Sequence, residues 1–265
     1  MMEEPARESA IKGGAVRRKG YSRRADIPPA VLRALNEGRE ESVTLSEWLA
    51  IDQPGLLAAA LSGAGLGSLR EGVARKVRAL AGEGVTTRTR GIGRILHEAT
   101  IDHPLREDAF EALASHTSDM VRGWAAYMVA ADGDQSLPVR LARARRFAMD
   151  PAVSVKECAW DIFRPSLALS PTHLAEGINL LRSWVTDREP GIRRCAVEAT
   201  RPRGVWTPHL EALKKDPARG LPLLEPVRSD PSRYVQRAVA PKKLRRQEWV
   251  LAWGRGRTRV TWPSV

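Results

Sequence analysis

The chain has 265 residues, 43 % of them hydrophobic, with 43 Lys and Arg against 31 Asp and Glu for a net charge of +12 and a pI near 10.4. That length and apolar content support a sizeable core, and no run approaches the roughly 20 apolar residues of a membrane span. Two cysteines, Cys158 and Cys195, give neither a disulfide framework nor a CxxC zinc pair, and such an excess of positive charge points to a polyanionic partner.

Met1 to about residue 25 reads as a disordered basic arm, since it holds Val-Arg-Arg-Lys-Gly-Tyr-Ser-Arg-Arg and little to bury. It has no apolar signal core, which predicts a cytoplasmic protein. From Asp26 the pattern turns helical. Pro28-Pro29 opens a helix with Val31, Leu32 and Leu35 on one face and Gly38 near its end. Short helices are expected over 42–49 and 53–61, the second ended by Gly63, Gly65 and Gly67. The stretch 69–80 places Val73, Val77 and Leu80 at helical spacing with Arg70, Arg75, Lys76 and Arg78 opposite, and 86–99 repeats the style. No alternating strand pattern occurs, so the expected class is all-α.

Beyond Arg106 a repeat emerges. An apolar anchor, a basic or polar residue and a small residue four places on recur at Val121-Arg122-Gly123-Trp124-Ala125, Val155-Lys156-Glu157-Cys158-Ala159 and Ile192-Arg193-Arg194-Cys195-Ala196, with a weaker copy at Val235-Gln236-Arg237-Ala238-Val239. The anchors lie 34, 37 and 43 residues apart, and Asp150, Asp187 and Asp230 each precede one by five. The Asp reads as a helix cap, and the small residue lets neighbouring helices approach. Units of this length cannot bury their apolar faces alone, so they predict a HEAT-like α-solenoid spanning 26–240 with a basic concave face. In that arrangement Arg122, Lys156, Arg193 or Arg194, and Gln236 or Arg237 fall in register to track a phosphodiester backbone, with Arg201 and Arg203 nearby. A solvated charged face is the plain alternative.

Carboxylates inside a basic groove oppose phosphate binding, so Glu157, Asp161 and Glu198 are candidates for another task. Glu157 and Asp161, four apart, are expected on one helix face, although neutralisation by Lys156 and Arg164 would explain them equally. Eight tryptophans against three tyrosines and three phenylalanines is an unusual share. Trp124 and Trp160 are assigned to the groove, where an indole can stack on a base, and Trp184 to the core, the commoner fate. Five scattered histidines, and the absence of HExxH, GxSxG or a P-loop, leave no metal or nucleotide site; no cofactor is expected.

At these residues the sequence resembles the HEAT-repeat DNA alkylation repair proteins, the AlkC/AlkD superfamily of alkylpurine DNA glycosylases, nearer AlkC. The carrying segments are Val121-Arg-Gly-Trp-Ala-Ala-Tyr, Val155-Lys-Glu-Cys-Ala-Trp-Asp, Arg164-Pro165, Ile192-Arg-Arg-Cys-Ala-Val-Glu-Ala-Thr-Arg-Pro-Arg-Gly-Val-Trp, Gly220-Leu-Pro-Leu-Leu-Glu and Asp230-Pro-Ser-Arg-Tyr-Val-Gln, within a likeness covering about Asp26 to Ala240. The resemblance implies a base-excision enzyme that hydrolyses the N-glycosidic bond of N3- or N7-alkylated purines in duplex DNA. Such lesions are already cationic, so groove carboxylates need only stabilise an oxocarbenium-like sugar and position water. It maps Glu157, Asp161 and Glu198 to that role, Trp124 and Trp160 to the lesion, and Arg122, Lys156, Arg193, Arg194, Arg201, Arg203 and Arg237 to DNA. The implied protein is a cytoplasmic monomer that joins the nucleoid when bound to DNA. A non-catalytic HEAT scaffold or a branched-DNA binder would use the same groove. The sequence departs from the family at Pro241, where a Lys/Arg-rich tail, 241–265, replaces the expected amphipathic helix; an altered reading frame is one origin for it.

Overall fold

In the computed structural model the described residues are 18–204 and 207–239, and among them there is no strand. The helices are α1 (Pro29–Asn36), α2 (Leu45–Ala50), α3 (Gln53–Gly63), α4 (Arg70–Arg78), α5 (Val85–Thr100), α6 (Arg106–Ala114), α7 (Asp119–Ala131) and α8 (Leu137–Ala148). They continue as α9 (Val153–Ala159), α10 (Arg164–Leu167), α11 (Pro171–Leu181), α12 (Pro190–Ala199), α13 (Glu211–Lys215), α14 (Leu221–Leu224) and α15 (Arg233–Gln236). Short 3-10 turns, including Trp160–Ile162 and Trp184–Thr186, join several of them. The divergent tail, apart from its approach through 239, lies outside the described residues, as does Trp206.

Local chemistry explains the boundaries. Pro29, Pro171 and Pro190 occupy first-turn positions, where a missing N–H costs nothing. Thr44 and Ser170 cap α2 and α11 by accepting the N–H of Glu47 and His173. Gly38 leaves α1 at φ +71°, a conformation that L side chains avoid.

Packing follows two layers. Helices α5, α7, α9, α12 and α15 contact one another in succession, and α4, α6, α8 and the Trp184–Thr186 turn back α5, α7, α9 and α12 in the same order. The centre is α7, in which eleven of thirteen residues are buried. A helix covered on nearly every side must be apolar all round, and Met-Val-Arg-Gly-Trp-Ala-Ala-Tyr-Met-Val meets that demand apart from Arg122. Cys158 and Cys195 are free thiols buried on α9 and α12, and burial pushes the Cys158 thiol up to about 12.

Three expectations need correction. The aspartates before the anchors are not helix caps. Asp150, Asp187 and Asp230 each accept the backbone N–H two residues on, from Ala152, Glu189 and Ser232 at 2.8 Å, and so shape the turn ahead of the helix. Their other oxygen reaches across the chain: Asp150 pairs with Arg122 of α7, Asp187 with Arg145 of α8, and Asp230 with Arg193 of α12, at 2.6–2.7 Å. Second, the arm does not extend to residue 25. Arg18 pairs with Glu40 and with the fully buried Glu47, which also accepts the N–H of Tyr21, so residues 18–21 are held against the fold. Third, Trp124 is wholly buried in α7 and shows no face to a groove.

Two buried guanidinium groups close helix ends. Arg140 donates to Ala130 O at the end of α7, and to Ile162 O. Arg164, fully buried, donates to Ala199 O at 2.7 Å, Arg201 O at 2.8 Å and Pro208 O at 2.9 Å, capping α12 where the last carbonyls lack partners. Burial lowers the Arg164 pKa to about 10, which still leaves it charged at neutral pH.

Candidate functional site

Helix α9 stops at Ala159 and the chain tightens into the 3-10 turn Trp160–Ile162, so Glu157 and Asp161 do not share a helix face. They belong to two separate clusters, held by helices on opposite sides.

Asp161 turns toward α5 and α7. Its Oδ2 accepts from Arg90 Nε at 2.7 Å and from the Tyr127 hydroxyl at 3.1 Å, with Arg90 Nη2 at 2.5 Å. The Arg90 guanidinium also lies 5.7 Å over the Tyr127 ring. The carboxylate is 4 % exposed and Arg90 30 %, so the acid is sheltered while its cation reaches solvent. Burial pushes the Asp161 carboxyl above its ordinary range, and the charge and hydrogen bonds of Arg90 and Tyr127 pull it back. Burial also drives the Tyr127 phenol well up, which keeps it a proton donor. These three residues stand in the wall of an open cleft of about 420 Å³, bounded by Leu80, Thr87 and Arg94 on one side and Pro165 and Pro208 on the other. These contacts of Arg90 and Tyr127 fall on Oδ2, and Asp161 is one of the residues that line the cleft.

Glu157 turns the other way. Arg194 Nη2 lies 3.3 Å from Glu157 Oε1 and 3.0 Å from Glu198 Oε1, and Arg201 Nε lies 3.1 Å from Glu198 Oε2. Arg194, Glu198 and Arg201 are all buried. Tyr234 of α15 closes the group, with the Arg194 guanidinium 4.5 Å over its ring and donating to its carbonyl at 2.9 Å. Burial raises the Glu157 carboxyl, Arg194 lowers it and Glu198 raises it again. Neither Glu157 nor Glu198 lines the cleft at Asp161, and the group reads as an inter-helix joint between α9, α12 and α15.

The remaining sequence candidates separate in the same way. Arg122 and Arg193 fork onto Asp150 and Asp230 with two bonds each, and their third nitrogen returns to turn carbonyls at 116–117 and 187–188. These arginines are structural in this conformation, because every donor face is engaged and the side chains are 10 % and 12 % exposed. Lys156 lies 5.4 Å over the Tyr234 ring. Trp160 is buried; its indole N–H makes no hydrogen bond, although it sits close enough to Glu157 to favour the carboxylate. Trp184 is buried against Phe163, edge to face at 5.8 Å, as assigned. Arg203 and Arg237 are exposed. Arg90 and Tyr127 were not among the sequence candidates. A tyrosine on an otherwise apolar buried helix is the signal that could have found one of them, since its hydroxyl must reach a partner.

Among the described residues no helix is long and apolar enough to cross a membrane, and no cluster of His, Cys, Asp or Glu could hold a metal ion. No protein-family model and no solved structure matches the chain. A stretch of 77 residues is 39 % identical to the uncharacterized protein YhaZ of Bacillus subtilis (strain 168), covering 29 % of this chain and 21 % of that protein. The matched part thus spans about a fifth of that relative.

Proposed function

We propose that the chain is a HEAT-like repeat protein of base-excision repair that hydrolyses the N-glycosidic bond of N3- or N7-alkylated purines in duplex DNA. The two-layer succession of helices supports the solenoid reading, and the sequence resemblance supplies the reaction class. The observation that carries the chemistry is Asp161: a sheltered carboxylate in the wall of an open cleft, fixed through one oxygen by Arg90 and Tyr127. A cationic purine is already a good leaving group, so the barrier lies in the positive charge that develops on the sugar. A fixed carboxylate in a low-dielectric wall stabilises that charge without reorganising, and can orient the attacking water. Arg90 opposes the burial that raises the Asp161 carboxyl. Of the three candidate carboxylates, Glu157 and Glu198 are tied to Arg194 and Arg201, which assigns them to the joint rather than to the reaction.

The test is release of 3-methyladenine or 7-methylguanine from methylated DNA. Asp161→Asn is expected to lower the rate by about 100-fold or more, the scale of losing one preorganised electrostatic group. Glu157→Gln is expected to change it by less than about tenfold and Glu198→Gln to act through stability. Wild-type rates in Asp161→Asn would reject the assignment. A second reading, a non-catalytic nucleic-acid scaffold, draws on the burial of Trp124 and Trp160 and the engagement of Arg122 and Arg193. It predicts salt-dependent DNA binding by the wild type with no base release.

A further inference from the structure

Most arginines of the repeat register are engaged within the protein, which raises the question of where an external anion would meet free positive charge. Helix α4 answers it. Arg70, Arg75 and Arg78 are exposed and make no ion pair or hydrogen bond among the described residues, whereas the fourth cation of the helix, Lys76, is held by Glu98 at 3.3 Å. All three line one open groove along the helix together with Ala74 and with Glu71, the only acid on α4. Val73 and Val77 are buried on the inner side, so the arginines cannot turn inward to find partners.

We propose that this face of α4 is a docking surface for the phosphodiester backbone of a nucleic acid, separate from the cleft at Asp161. Arg70 and Arg78 are eight residues apart, about 12 Å along the axis at 1.5 Å per residue. With flexible stems, that separation lets the three arginines reach phosphates along one strand. Guanidinium groups suit phosphate oxygens because each can give two parallel bonds, and a row with Gly72 and Ala74 interspersed offers no bulk against a close backbone. Continuity favours a nucleic acid over an acidic protein. The hairpin from Arg70 to Thr100 holds seven basic residues and three acidic ones. After α4 the same hairpin contributes Leu80, Arg90 and Arg94 to the cleft wall, so the two basic surfaces belong to one hairpin. In its choice of polyanion the inference rests on the proposed action on DNA.

The experiment compares the full chain with Arg70→Gln/Arg75→Gln/Arg78→Gln and with a charge-matched control, Arg33→Gln/Arg182→Gln/Arg188→Gln, changed at exposed arginines elsewhere. Binding to a short unmodified duplex of mixed sequence is measured across a salt series. The α4 variant is expected to bind at least about tenfold more weakly near 0.1 M salt, with the slope of log K against log salt shallower by about 2 to 3, close to 0.9 per lost phosphate contact. The control should keep the wild-type slope. An unchanged slope in the α4 variant, or equal losses in both variants, overturns the proposal. Base release on methylated DNA separates the two readings. A weakened α4 variant of a wild type that releases no base leaves the surface standing without the glycosylase. An Asp161-dependent release with an unaffected α4 variant does the reverse.

Discussion

His116 occupies the turn position that Asp150, Asp187 and Asp230 take ahead of the later anchors, five residues before Val121. Its Nδ1 accepts the Ser118 N–H at 3.0 Å, the imidazole counterpart of the aspartate bond, which requires the neutral ring. Burial and the neighbouring Arg122 both lower its pKa. The sign of the pH effect follows. With the folded value below the unfolded one near 6.5, the unfolded chain takes the proton first as pH falls. The stabilising contribution is therefore complete above about pH 6.5 and is lost as pH drops from there toward the folded value. His116→Asn keeps an acceptor for Ser118 without a proton to gain. Urea midpoints measured from pH 7.5 to 5 are expected to fall more steeply for the wild type than for the variant. His97, whose pKa burial also lowers, contributes the same slope to both proteins and drops out of the comparison. Parallel curves would show that His116 does not titrate in this range.

Between helices, the Arg–Asp pairs decide how one anchor helix sits on the next turn. Arg193 gives Asp230 two bonds at 2.7 and 2.9 Å and holds its own turn through Asp187 O and Arg188 O, with the carboxylate side chain only 3 % exposed. Truncating the arginine strands that carboxylate, so Arg193→Met is expected to cost about 1–3 kcal/mol in chemical denaturation. Arg203→Met, at an exposed site, should stay within about 0.5 kcal/mol. Asp230→Asn combined with Arg193→Met should lose less than the sum of the two; strict additivity would mean the pair is uncoupled. These pairs also mark what the sequence could and could not convey. The helices over 29–100 were legible from apolar spacing and breakers, and the anchors from their recurrence, because both are local patterns. The role of the aspartates was half legible. An Asp ahead of a helix signals a turn, but partners 28, 42 and 37 residues away come from different helices and follow no single spacing. The same limit hid Arg90. Nothing local separates an arginine that reaches Asp161, 71 residues on, from its neighbours Arg88 and Arg94. Trp124 was misplaced because its helix, like that of Trp160, was expected to line a groove. In the structure Arg122 escapes burial cost by pairing, and α7 is apolar on its remaining faces.

At the scale of the molecule, the cleft depends on how closely α5 lies on α7, because Arg90 comes from the first, Tyr127 from the second, and Asp161 is held between their side chains. That approach is set by Gly93. A methyl added there would lie 2.3 Å from Tyr127 Cβ and 2.8 Å from the Trp124 carbonyl, and neither a backbone atom nor a Cβ can give way without moving the helix. Gly91, two residues earlier on α5, faces only the end of Leu80, 2.5 Å away, and a leucine tip can change rotamer. The two glycines thus separate helix propensity from packing. Alanine favours a helix by about 1 kcal/mol over glycine at both positions, so Gly91→Ala is expected to leave stability unchanged or slightly raised. At Gly93 overpacking of about 1–3 kcal/mol or more opposes that gain, and the net effect is destabilising. The consequence for the site goes beyond stability. Forcing α5 outward draws Arg90 from Asp161 and removes the charge that counters burial, so the Asp161 pKa should rise in Gly93→Ala. Carboxyl carbon NMR titration of the free protein reads this without any substrate, with Asp161→Asn to assign the signal. A folded Gly93→Ala protein with an unshifted Asp161 titration would show that the cleft does not depend on the α5–α7 spacing. A raised value with weakened base release, restored by working at higher pH, would tie that spacing to the carboxylate's charge.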